Sequence, residues 1–189
     1  MDITVINGIN TSNLSGFADK VQDNAANGMV RFDVTTDWKG GTKSETKVSG
    51  WEMAGVTLAK DFTIQADEPV ELLGQNEAPN PQELLLAAMN ACMTVGYVAT
   101  AAVMGVTLSK LQIRASGRLD LRGFLGLDDS VKPGYDSIDY AVTLEGDGTP
   151  EQFQQIHDTV TKTSPNRWNV ANAIKLNATL TLPATATAG

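Results

Sequence analysis

Asn80-Pro81-Gln82-Glu83-Leu84-Leu85-Leu86-Ala87-Ala88-Met89-Asn90-Ala91-Cys92-Met93-Thr94-Val95-Gly96-Tyr97-Val98-Ala99-Thr100-Ala101-Ala102-Val103-Met104-Gly105 is the stretch on which the fold turns. It opens with a helix start: Asn80 can accept from the first backbone N–H groups, Pro81 suits the first helical position, and Glu83 completes a capping box. Residues 84–104 then carry no charge, and Gly105 ends the run. Twenty-one uncharged residues are long enough for a membrane span. Their content argues otherwise: six are Ala, Asn90, Thr94 and Thr100 are polar, and acidic rather than basic residues precede them. A helix apolar on every side in a soluble chain is a central helix covered by other elements.

Strand-like patterns flank this helix. Residues 29–38 alternate through Val30, Phe32 and Val34, residues 43–48 are a polar strand, and residues 56–66 alternate through Val56, Leu58, Phe62 and Ile64. Turn signals separate them, so a three-stranded antiparallel meander is expected. A loop over 67–79 leads into the helix. After it, residues 108–121 and 135–145 read as strands. Thr149-Pro150-Glu151-Gln152 starts a second helix running to about Thr163, Ser164-Pro165-Asn166 stops it, and a last strand is expected over about 173–182. Ahead of all this, residues 12–27 read as a polar helix capped by Ser12. The implied organisation is an appendage over 1–28, an α+β domain over 29–183 and a loose tail over 184–189.

Composition narrows the function. The net charge of -8, with no Lys/Arg cluster, speaks against nucleic acid. A single Cys allows no intrachain disulfide and no Cys-based zinc site, and the lone His157 leaves little for a His-based one, so neither metal nor cofactor is expected. The start, Met1-Asp2-Ile3-Thr4, has no signal-peptide pattern, which makes the reducing cytoplasm the expected location. No membrane partner is expected. No Gly-rich phosphate loop follows a strand, so nucleotide folds have little support.

Three stretches together resemble the OsmC/Ohr family: Gly74-Gln75-Asn76-Glu77-Ala78-Pro79-Asn80-Pro81-Gln82-Glu83-Leu84-Leu85, then Ala87-Ala88-Met89-Asn90-Ala91-Cys92, then Ser164-Pro165 with a following last strand. The resemblance covers residues 29–182 in order of elements. It implies an α+β fold in which antiparallel sheets wrap a long central apolar helix, in an intertwined homodimer. It also implies hydroperoxide reduction in oxidative or osmotic stress: in the peroxidase branches one cysteine attacks an organic hydroperoxide, a second resolves the sulfenic acid, and an Arg and a Glu activate the first.

On this chain Cys92 falls on the first cysteine and Ser164 on the second. Gln82 stands where those branches carry the Glu, one position before Glu83, which is read as the cap. Lys43, beside Thr42, is a weak candidate for the activating cation; Arg31, Lys47 and Arg167 are others. Without a second thiol, a redox-active Cys92 needs an external thiol or dithiol reductant. Gln82 and Ser164 favour two alternatives over a full two-cysteine peroxidase: a non-catalytic dimer holding a small apolar ligand, and a structural dimer whose Cys92 is an inert, small buried hydrophobe. Met89, Met93, Phe62 and Trp168 can line a pocket or simply fill the core. His157 reads as a solvated or half-buried side chain, not a catalytic one.

Overall fold

The computed structural model describes residues 4–182; the tail expected over 184–189 lies outside them. The chain opens with a hairpin, β1 (Val5–Ile6) and β2 (Ile9–Asn10), turned by Asn7 and Gly8, both left-handed at φ 53° and 76°. Asn-Gly is the pair that such a two-residue turn favours. The Asn7 side chain fastens the hairpin to the chain that follows the long helix: Nδ2 donates to Val106 O (2.9 Å), and Oδ1 accepts from Leu108 N (2.8 Å). α1 (Thr11–Asp23) follows and buries no residue. Its cap is Asn10, which accepts from Asn13 N at 2.9 Å, and not Ser12. The helix begins one residue before Ser12, whose own backbone is already inside the first turn.

The expected meander is present, with changes. β3 (Val30–Phe32) and β4 (Thr35–Trp38) both pair antiparallel with one edge of β5 (Ser44–Met53), and β6 (Val56–Ala66) pairs with the other edge. The strand expected over 29–38 is thus broken at Asp33-Val34. β5 runs five residues past the expected Val48, because a register shift between Val48 and Gly50 lets the ladder continue to Met53. No residue of these four strands is buried, and Phe32, Trp38 and Phe62 lie open on them.

Residues 67–79 form a knotted loop around Asp67, whose side chain is only 1% exposed. One carboxylate oxygen accepts from Thr42 Oγ1 (2.6 Å) and Glu68 N (2.9 Å), the other from Gln75 N (3.0 Å) and Glu77 N (3.2 Å). Lys43 Nζ adds 2.6 Å bonds to Gln75 Oε1 and Glu77 Oε2. The end of the sheet is thereby tied to the entrance of the long helix, α2 (Pro81–Val103).

α2 begins with the expected capping box: Asn80 Oδ1 accepts from Glu83 N at 2.8 Å, and Glu83 Oε2 accepts from Asn80 N at 2.9 Å. Such a cap contributes about 1 kcal/mol. Met89, Met93, Tyr97 and Ala101 recur every fourth residue on one buried face. That face meets Ile156 and Val160 of α4 (Pro150–Thr163). It also meets Leu111, Ile113 and Ala115 of β7 (Leu108–Gly117), and Ile138, Tyr140, Val142 and Leu144 of β8 (Ile138–Gly146). Each large side chain fully buried there contributes roughly 1.5–3 kcal/mol. Gly96 permits the close approach of α4, since a Cβ in its place would stand 3.2 Å from Val160 Cγ1.

Two expectations need correction. α2 is covered on one face and not all round: five of its 23 residues are buried, while Val95 is 69% and Val103 64% exposed. Nothing else in the described chain reaches its far side. The strand expected over 173–182 is also absent. Alternating apolar residues suit a strand, but a ladder needs a partner edge, and the segment joins no sheet; Leu176 is 88% exposed. The structure adds two α-helices that the pattern did not announce, α3 (Leu121–Phe124) in the loop between β7 and β8, and α5 (Pro165–Ala171) directly after α4. Antiparallel sheets with a long helix against one of them make an α+β fold.

Candidate functional site

Cys92 lies midway along α2, half-buried, where the junction of α4 and α5 crosses it. Ser164 makes that junction. Its N–H closes α4 by donating to Val160 O (2.9 Å), and its carbonyl accepts from Trp168 N (2.9 Å) to open α5. Pro165 occupies the first position of α5, where a missing N–H costs nothing. A serine at such an N-cap ordinarily turns its hydroxyl onto the helix's own amides. Here it makes no cap bond; Oγ faces Cys92 Sγ at 3.5 Å instead. The backbone N–H of Asn166 donates to the same sulfur, also at 3.5 Å. The Asn166 side chain braces the arrangement by donating to Ala88 O, one turn before Cys92 (2.9 Å). The sulfur therefore meets two donors, one on the buried Ser164 and one on the backbone of Asn166.

The expected site residues come together in part. Cys92 and Ser164 meet. Gln82 does not join them: it lies in the first turn of α2, ten residues before Cys92, or about 15 Å along the helix axis. Lys43 is engaged with Gln75 and Glu77 in the loop knot. Arg31 pairs with Asp33, and Lys47 donates to Thr63 Oγ1, both on the sheet. Of the four cations, only Arg167 lies on the element that touches the sulfur. Its Nε donates to Tyr140 Oη (2.9 Å) and its Nη1 to Thr161 O (2.7 Å).

Tyr97 Oη shares a 2.7 Å hydrogen bond with Nδ1 of the half-buried His157. Burial, reinforced by Tyr140 and opposed by Arg167, pushes the Tyr97 phenol up to about 12, so it stays neutral. The pocket expected from Met89, Met93, Phe62 and Trp168 is not assembled. Met93 is sealed in the core, Phe62 lies open on β6 and Trp168 on α5, and only Met89 borders a cavity. Among the described residues no cluster of His, Cys, Asp or Glu is placed to hold a metal ion. Asn166 reaches the sulfur through its backbone; Ser164-Pro165 repeats the polar-residue-then-proline start seen at Asn80-Pro81 and Thr149-Pro150, and that signal announces α5.

Residues 74–180, more than half of the chain, match the family model described as OsmC-like protein, and the chain belongs to that family. The fold agrees with solved structures. An OsmC-like protein from Mycoplasma pneumoniae superposes with a TM-score of 0.59 at 15% identity, over 75% of this chain and 87% of its own. An OsmC-like protein of unknown function from Vibrio cholerae gives 0.53 at 16% identity, over 74% of this chain and 92% of its own. No curated protein matches the sequence.

Proposed function

We propose that the chain is a one-cysteine, thiol-dependent hydroperoxide reductase that works as a homodimer. The observation that carries the chemistry is the pair of donors, Ser164 Oγ and Asn166 N–H, at 3.5 Å from Cys92 Sγ. In the proposed step the Cys92 thiolate attacks the terminal oxygen of an organic hydroperoxide. The O–O bond breaks, the alkoxide leaves and takes up a proton, and Cys92 becomes a sulfenic acid. Sulfur loses the two electrons that the peroxide gains. An external thiol then displaces water from the sulfenic acid to form a mixed disulfide, and a second thiol releases Cys92. The reducing cytoplasm supplies such thiols. Reaction with cumene hydroperoxide near neutral pH, followed by loss of free thiol, tests this. We expect Cys92 to react at least about tenfold faster than glutathione, equivalent to about 1.4 kcal/mol of barrier. A rate no faster than the free thiol removes the peroxidase reading and leaves a binding or structural dimer.

The homodimer is supported by surface left bare in one chain: the Val95 and Val103 face of α2, the open side of the β3–β6 sheet, and the unpaired segment over 173–182. Exposed apolar surface of this kind suits an interface, and a two-fold partner covers the same surface on both copies. Light scattering at low micromolar concentration is expected to give twice the chain's 20.1 kDa. A folded, soluble monomer refutes the dimer.

A further inference from the structure

A cavity of about 730 Å³ opens between α2, α5 and the approach to β8, within the size range of small-molecule sites. Leu85, Met89, Ile138, Val170 and Ile174 give it apolar walls, and Arg167 and Tyr140 stand together on its lining. Cys92 is not on that lining.

The guanidinium is the informative group. It is held in place by its bonds to the Tyr140 hydroxyl and the Thr161 carbonyl, both neutral acceptors. Its Nη2 group meets no acceptor among the described residues. No carboxylate among them pairs with it either. The one acidic residue on the cavity lining, Asp136, pairs with Lys132 at 3.0 Å. A half-buried cation beside an apolar wall, without a counter-ion, is costly unless an anion joins it. Arg presents a planar fork of donors that matches a carboxylate.

We propose that this cavity binds an amphipathic monoanion, a carboxylate on an apolar body. The carboxylate sits on the outward edge of Arg167, and the hydrocarbon lies along Leu85, Met89, Val170 and Ile174. Neither a purely apolar ligand nor a cation uses both features. The readout is binding alone and does not depend on whether Cys92 reacts with peroxides.

Calorimetric titration of the full chain with decanoate and with decanol, both below their micelle or solubility limits, tests the proposal. Decanoate is expected to bind at least about tenfold tighter than decanol, the size of a charge-assisted hydrogen bond. Arg167→Gln is expected to remove that preference while decanol binding changes little. Because Arg167 also braces Tyr140, a second comparison leaves it intact: Asn169→Glu against Asn169→Gln on the cavity lining, outside the 173–182 segment. The Glu variant is expected to bind decanoate several-fold more weakly than the Gln variant, with decanol nearly indifferent. Equal affinity for decanoate and decanol overturns the proposal. So does unchanged decanoate binding in Arg167→Gln, or no decanoate binding by the folded chain, as when a second copy fills the cavity.

Discussion

Ser164→Cys is expected to convert a dead-end oxidation into a disulfide cycle. In the native chain Cys92 is the only thiol, so excess hydroperoxide carries it from sulfenic to sulfinic acid with nothing in the chain to intercept it. The Ser164 oxygen already stands 3.5 Å from Cys92 Sγ. A disulfide needs about 2.05 Å between sulfurs, and a small rotation of the longer-bonded thiol supplies most of the difference. Treated with one equivalent of organic hydroperoxide, the variant is expected to lose both thiols and two hydrogens, and then to resist further oxygen uptake. The native chain gains one oxygen, and a second when a further equivalent is added. Intact-mass spectrometry separates these outcomes. A variant that accumulates sulfinic acid as readily as its parent refutes the expectation and shows that the junction cannot close.

Gly74→Ala is expected to cost about 3 kcal/mol or more, at the upper end of overpacking effects. A Cβ at residue 74 falls 1.7 Å from the Glu68 carbonyl oxygen and 2.8 Å from Glu68 Cα. These are backbone atoms with no side chain to swing aside. The same carbonyl accepts from Asn76 N at 3.0 Å. Displacing it pulls Gln75 and Glu77 off the Asp67 carboxylate, and with them the Lys43 clip. For a chain of this length the melting temperature is expected to fall by roughly 6–12 °C, read by circular dichroism at fixed chain concentration so that association does not confound it. A loss under about 1 kcal/mol would show that the knot loosens without harm.

Local rules made the helices legible. Asn80-Pro81 and Thr149-Pro150 start α2 and α4 because capping and proline geometry act within one turn, and Gly105 follows the last turn of α2 with φ 71°. The meander was legible from alternation and turn residues. What failed was everything that depends on a partner. The pattern over 173–182 carries strand character, yet no edge among the described residues receives it. The charge-free run of α2 predicts cover on every side, and one chain provides it on the Met89–Tyr97 face alone. At the site, the pairing of Cys92 with Ser164 followed from family resemblance and not from spacing, since 72 residues separate them. Asn166 was hidden because it acts through a backbone N–H, which no side-chain pattern encodes. Within one chain Lys43 bonds Gln75 and Glu77 in the loop knot, a long-range arrangement that sequence spacing does not encode.

The Asp67 knot also ties the fold to proton activity. The Thr42 hydroxyl first, then the N–H groups of Glu77, Gln75 and Glu68, hold the Asp67 carboxyl down to about 2 from its ordinary 3.8, against the opposing effect of burial. An unfolded chain takes up this proton near the ordinary value, while the folded chain resists until about pH 2. The stabilisation is therefore fully present above roughly pH 4–5, fades as acid titrates the unfolded chain, and is gone below the folded value. Protonation removes the acceptor that gathers the loop, so strong acid loosens the entrance to α2, the helix that presents Cys92, through this carboxyl.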